Sequence, residues 1–194
     1  LKDCKEILQH KCSDSLFDGC LTFVIGENGL DLALKFGLPA NQIIKTGNWL
    51  GPLLVAAAEN DVKKLLLFGY HGKLIKLSGG IFHTHHHLAD GRLEILTSIA
   101  VREGIAFDLI ELISKSTSVE NALLALEETN PELVSLIWGR MVKEIEIKSL
   151  SYVNRYLSSS MEIGSVLFDR KRQIRWAGLK GLKQINSLGL ILKS

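Results

Sequence analysis

The chain has 194 residues, of which 46% are hydrophobic and 23% charged, and its formal net charge is +2. That balance excludes a disordered chain and gives no bulk electrostatic basis for nucleic-acid binding. Cys4, Cys12 and Cys20 form no CxxC pair, no apolar run is long enough to span a bilayer, and no signal peptide is visible, so reduced thiols in a cytoplasmic protein are expected.

Leu21–Ile25 is apolar and partly β-branched, and it breaks at Gly26-Glu-Asn-Gly29. Leu30–Phe36 reads as a helix closed by Gly37, with Pro39 beyond it. Gln42–Lys45 is a second candidate strand, broken by Gly47-Asn48. Leu50–Asn60 reads as an alanine-rich helix with Pro52 in its first turn, where proline is tolerated. Lys64–Phe68 is a third strand, ending at Gly69-Tyr-His-Gly72. Strand, loop and helix thus repeat every 20–25 residues over 20–105. The pattern predicts an α/β fold: a parallel, Rossmann-like sheet with crossover helices. Continuous apolar strands fit a sheet buried on both faces, with its glycine-bearing breaks on one edge.

The remainder, 106–194, reads as a helical and terminal-strand part of the same single domain. Leu88–Arg102 has apolar residues at helical spacing, with Gly104 as its stop, and Phe107–Ser114 follows as another helix. Ser118 is placed to cap Val119–Glu128, and Pro131 to open Glu132–Lys148 or a longer helix. Gly164–Phe168 and Gln173–Trp176 flank the polar turn Asp169-Arg-Lys-Arg172, which reads as a C-terminal β-hairpin or strand with a basic tip.

Several clusters carry chemistry. The Gly26–Gly29 break lets backbone approach a ligand before a helix N-terminus, although it reads equally as a plain strand-to-helix turn, and GxGxxG is not met. Asn48 offers both a donor and an acceptor to a ligand, or a cap to the helix that follows. Lys73 and Lys76 face one way on a helical turn and suit a polycarboxylate or phosphate, or form a solvated basic turn. The Walker pattern is absent, which disfavours ATP hydrolysis. Five of the six histidines lie between His71 and His87. Adjacent imidazoles at 85, 86 and 87 point in different directions, so convergence on one metal ion is not expected and a ligand contact is preferred. Asp90, Arg92 and Glu94 read as a helix start, and Arg92 is a natural fork for a carboxylate. Arg170, Lys171, Arg172 and Arg175 read as a charged hairpin tip.

Taken together, GENG at 26–29, KTGNWLG at 45–51, GYHGKLIKLSGG at 69–80, FHTH at 82–85 and ADGR at 89–92 resemble the C-terminal half of the CbiD family. The likeness is strong from Leu21 to Gly104 and weaker to Asp169. It implies methylation of cobalt-precorrin-5B at ring carbon 1 in the anaerobic route to cobalamin, with S-adenosylmethionine as donor. On that resemblance, Gly26, Asn28, Gly29, Asn48, Gly51 and Gly69 would hold the donor. Lys73, Lys76, Thr84, Asp90 and Arg92 would hold a cobalt-corrinoid tetrapyrrole, and His71 or His85 would accept a proton or touch the macrocycle. Cobalt would reside in the substrate, with no metal intrinsic to the protein. No nucleic-acid or membrane partner is implied, and homo-oligomerisation is left open.

The sequence departs from the family in two ways. The glycine–threonine-rich opening of family members is absent and they are about twice as long, so the chain is expected to be part of a longer one. After Thr84-His85 the family carries serine and often arginine, whereas His86-His87 stand here, and those two inherit no role. The rival reading is a His-rich metal-binding or corrinoid-binding module without catalysis of its own.

Overall fold

The apolar runs form a five-stranded sheet in the order β2-β1-β3-β4-β5 in this computed structural model, which describes residues 1–192 other than Glu27, His86 and Ala89. Strands β1 (Cys20–Ile25), β2 (Ile43–Thr46), β3 (Lys64–Tyr70) and β4 (Glu162–Phe168) are parallel, and β5 (Ile174–Ala177) pairs antiparallel with β4. The expected α/β class, parallel sheet and terminal strand pair are all present.

Alternation along each strand feeds two separate cores. Leu21, Phe23 and Ile25 of β1, Leu65 and Leu67 of β3, and Ile163 and Leu167 of β4 enter the larger one. Val24, Leu66, Phe68, Val166 and Phe168 enter the smaller. Burial on both faces is the reason that these strands read as unbroken apolar runs.

Helices α2 (Leu30–Phe36) and α3 (Leu50–Glu59) make the first two crossovers. The third is a single long excursion between β3 and β4 through α4 (His71–Ser78), α5 (Arg92–Arg102), α6 (Phe107–Lys115), α7 (Val119–Thr129) and α8 (Pro131–Val153). Ser118 Oγ accepts the Asn121 amide, so α7 starts where its cap predicts, and Asn130 Oδ1 accepts the Glu132 amide at the start of α8, beside the expected Pro131. The helices α1 (Lys2–Cys12) and α9 (Leu179–Ser187) were not read from the sequence, and α4 was read only as a helical turn. The first buries Leu8 alone. The second docks backbone to backbone, because a Cβ on Gly164 of β4 would lie 2.6 Å from Gly181 Cα. Patterns of apolar side chains do not reveal a contact made through glycine.

One junction differs from expectation in a way that shapes the site. No loop separates β3 from α4; the strand ends at Tyr70 and the helix begins at His71. A Cβ at Gly69 would come within 3.1 Å of Leu74 and one at Gly72 within 2.5 Å of the Tyr70 ring, so glycine permits the abrupt turn. Likewise α5 begins at Arg92 rather than Leu88, after Gly91 at φ +57. Among the described residues no helix is long and apolar enough to cross a membrane.

Candidate functional site

Because β1 to β4 are parallel, their carboxyl ends share one edge. The chain leaves β1 towards β2 on one side and continues through β3 towards β4 on the other, so a crevice opens between β1 and β3. A two-lobed cleft occupies that position. The first lobe has a volume of about 500 Å³ and the second about 370 Å³, and they share Tyr70, Gly72, Lys73 and Arg92. Larger grooves of about 740 and 1100 Å³ lie elsewhere, without any residue from the ends of β1, β2 or β3.

Gly26 and Asn28 line the first lobe. Gly26 has φ +94, and a Cβ there would sit 3.5 Å from the Lys73 ammonium. A side chain at this position would be strained by that backbone conformation. Opposite are the start of α7 at Ser118–Glu120 and the turn from Asp169 to Arg172.

The second lobe contains Asn48, Lys73, Lys76, Thr84, His85 and Arg92. It is held by a short strap. Leu50 and Gly51 amides donate to Phe82 O at 3.0 and 3.1 Å, and the Thr84 amide donates to Asn48 O at 2.9 Å. Thr84 Oγ1 then donates to Asn48 Oδ1 at 3.1 Å, and Lys76 Nζ donates to Thr84 O at 3.2 Å. Asn48 therefore serves the strap and not the cap of α3, whose N-cap is Trp49 without a side-chain bond. Lys76 is buried, and that burial pushes its pKa down while Asp90 opposes the shift. The Arg92 guanidinium grips Asp90 with two nitrogens, the Nη2–Oδ2 contact being 2.8 Å, which holds the Asp90 carboxyl below its usual range.

Not every expected residue reaches the cleft. His71 is fully buried, with Nε2 2.9 Å from Glu120 Oε2 and its ring among Tyr70, Trp138 and Trp176. Burial draws its pKa down, against the pull of Glu120. Gly29, Gly51 and Gly69 lie behind the surface: a Cβ at Gly29 would be 2.9 Å from Val24, and one at Gly51 2.5 Å from Tyr152 Oη. Their glycines satisfy packing. His83 turns edge-on to Trp49 at 4.1 Å, and His85 stacks with His87 at 4.8 Å. His86 lies outside the described residues, as does Glu27. Among the described residues no group of three or more His, Cys, Asp or Glu is placed to hold a metal ion.

Sequence reasoning missed Tyr70 and Glu120. Tyr70 Oη donates to Glu120 Oε2 at 3.3 Å, and burial together with that carboxylate pushes its pKa up to about 12. The phenol therefore stays protonated near neutral pH, aims its proton at Glu120 and leaves its oxygen as an acceptor beside both lobes. The partners are about fifty residues apart in sequence, and no local signal marks them.

Known proteins resemble this chain along its whole length. The description "CbiD, C-terminal domain" matches residues 83–178. A Prochlorococcus marinus (strain NATL1A) protein called cobalt-precorrin-5B C(1)-methyltransferase is 88% identical over 193 residues, which cover 100% of this chain and 51% of that one. The chain belongs to the CbiD family. A CbiD protein of the same name from strain NATL2A is also 88% identical, with the same coverage. Another, from strain MIT 9313, is 55% identical over 95% of this chain and 48% of its own length. The chain thus spans about half the length of the curated CbiD relatives it matches. No solved structure matches it. The blocks that carried the CbiD resemblance supply the loop after β1, the strap, α4 and the start of α5, which line the second lobe and one side of the first.

Proposed function

We propose that this chain supplies a donor- and corrinoid-binding cleft for the S-adenosylmethionine-dependent methylation of cobalt-precorrin-5B at ring carbon 1, a step of cobalamin biosynthesis in the cytoplasm. The observation that carries the reading is a strand-end cleft lined by Lys73, Lys76 and Arg92, in a chain 88% identical to proteins of that name. A corrinoid intermediate bears several acetate and propionate carboxylates, and ammonium and guanidinium groups complement them.

The donor supplies a methyl group on a sulfonium centre, and the ring carbon supplies the electron pair that takes it. Such a transfer needs in-line alignment more than proton traffic. In this reading Gly26, Asn28 and Asn48 contact the donor, while Gly29, Gly51 and Gly69 keep the backbone paths that shape its site. Lys73, Lys76 and Arg92 hold ring carboxylates. Thr84 fixes Lys76 and Asn48, and Asp90 orients the Arg92 fork. His85 contacts the macrocycle or accepts a proton. His71 acts at one remove, as a positioning residue for Glu120 and hence for Tyr70.

A methylation assay with S-adenosylmethionine and the cobalt-corrinoid substrate tests the reading, run on this chain and on the full-length enzyme of a relative. Lys73→Ala and Arg92→Ala in the full-length enzyme are expected to weaken corrinoid binding and slow methylation. Unchanged binding and rate in both variants would refute the assignment. The half-length match favours one alternative, a corrinoid-binding module that performs no chemistry by itself. Corrinoid binding by this chain with methylation confined to the full-length enzyme would establish that alternative. A His-rich metal-binding role would show instead as stoichiometric metal in tag-free protein, lost on substitution of His83 and His85.

A further inference from the structure

The basic run Arg170–Arg172 reads from sequence as a solvated hairpin tip, but Arg170 and Arg172 both line the first lobe of the cleft. The turn that presents them is built from Asp169, which is 3% exposed. Its amide donates to Gln173 O at 3.0 Å, its carbonyl accepts the Arg172 amide at 3.0 Å, and its Oδ1 accepts the Gln173 amide at 2.9 Å. Arg172 holds φ +64, a left-handed conformation disfavoured for most residues with a side chain. Glycine or asparagine would fill that position with less strain, so an arginine there points to a use for its side chain. Arg172 Nη2 also meets Asp31 Oδ2 of α2 at 2.5 Å.

Cations outnumber anions among the residues that line the lobe: Lys73, Arg92, Arg170 and Arg172 stand against Glu120 and Asp169. Asp90 grips Arg92 and Asp31 meets Arg172. Glu120 is engaged by Tyr70 and His71, and Asp169 by its own turn and by Arg175 at 3.6 Å. The amides at the start of α7 add to the same positive field.

We propose that the β4–β5 turn is a carboxylate-recognition element, in which Arg170 and Arg172 together with Lys73 hold a carboxylate in the first lobe. Two sources share that chemistry: a peripheral acid side chain of the macrocycle and the α-carboxylate of the methyl donor. Only the choice between them rests on the function proposed above. The charge-assisted contacts themselves do not.

Calorimetric titration of the wild-type chain and of Arg170→Ala, Arg172→Ala and Lys171→Ala tests this. The probes are a cobalt corrinoid with free peripheral carboxylates, its fully amidated counterpart, S-adenosylhomocysteine, and citrate as a simple tricarboxylate. Each arginine variant is expected to bind a carboxylate probe about 10-fold more weakly, with unchanged circular dichroism, while Lys171→Ala matches wild type. Loss confined to the free-carboxylate corrinoid supports the proposal with the macrocycle as source. Loss confined to S-adenosylhomocysteine supports it with the donor as source. If wild type binds neither corrinoid nor S-adenosylhomocysteine, the proposed function fails for this chain, and citrate alone decides the role of the turn. Arginine variants that bind every carboxylate probe as wild type does, or an equal loss in Lys171→Ala, would overturn it.

Discussion

Glu146→Ala is expected to be a strongly destabilising truncation on α8. The Glu146 side chain is nearly buried where β5 leaves β4 and α9 begins. Its Oε1 accepts the Ser165 amide at 3.0 Å and the Gly181 amide at 2.9 Å, and its Oε2 accepts the Lys180 amide at 3.2 Å. Alanine strands two buried amides, each at a cost of about 1–3 kcal/mol, whereas the Lys180 amide can turn to water. The expected loss is about 4 kcal/mol in total, or roughly 10 °C in Tm for a chain of this size. Glu146→Gln keeps one acceptor oxygen and should cost only about 1 kcal/mol.

Burial raises the Glu146 pKa despite its three amide donors, so the folded state binds this proton more tightly than the unfolded state does. The stabilisation is therefore full below the unfolded carboxylate value and falls as pH rises through the folded one. The deficit of the Gln variant should accordingly shrink from about pH 4 towards neutrality. Urea unfolding followed by circular dichroism measures both effects. An alanine variant that loses under about 1 kcal/mol, or a glutamine deficit that grows with pH, would refute the reasoning.

Three other outcomes follow from the same structure. Burial lowers the His71 pKa, so its contribution is present above the ordinary histidine value and lost as pH falls below it. His71→Gln should flatten the decline in stability between pH 7.5 and 5.5 in urea titrations, and an unchanged slope would count against it. Gly164→Ala drives a methyl group to 2.6 Å from Gly181 Cα and should cost about 3 kcal/mol, with faster amide exchange in α9 as the specific sign. Lys76→Met removes a buried ammonium, so stability should stay within about 1 kcal/mol of wild type while free-carboxylate corrinoid binds about 10-fold more weakly. Unaltered binding would remove Lys76 from the site.

The sequence by itself determined the strands and most of the helices, because burial on both faces writes β1, β3 and β4 as apolar runs and start signals such as Ser118 and Pro131 are local. It also supplied the glycine breaks, Asn48 and the lysines of α4, since a parallel sheet sends all its carboxyl ends to one edge. Tertiary structure alone decided which of those residues meet. Lys73 and Lys76 are neighbours on one helix, yet one touches both lobes and the other is buried under Thr84. His71 belongs to the same block and turns inward to Glu120, 49 residues away. Gly29, Gly51 and Gly69 resemble ligand-binding glycines in sequence, but neighbouring side chains claim the space that a Cβ would need. The basic turn looked solvated until β4 was placed parallel to β3, which brings Arg170 and Arg172 to the first lobe. A strand's direction depends on the length and packing of the crossover before it, and here that crossover runs through five helices.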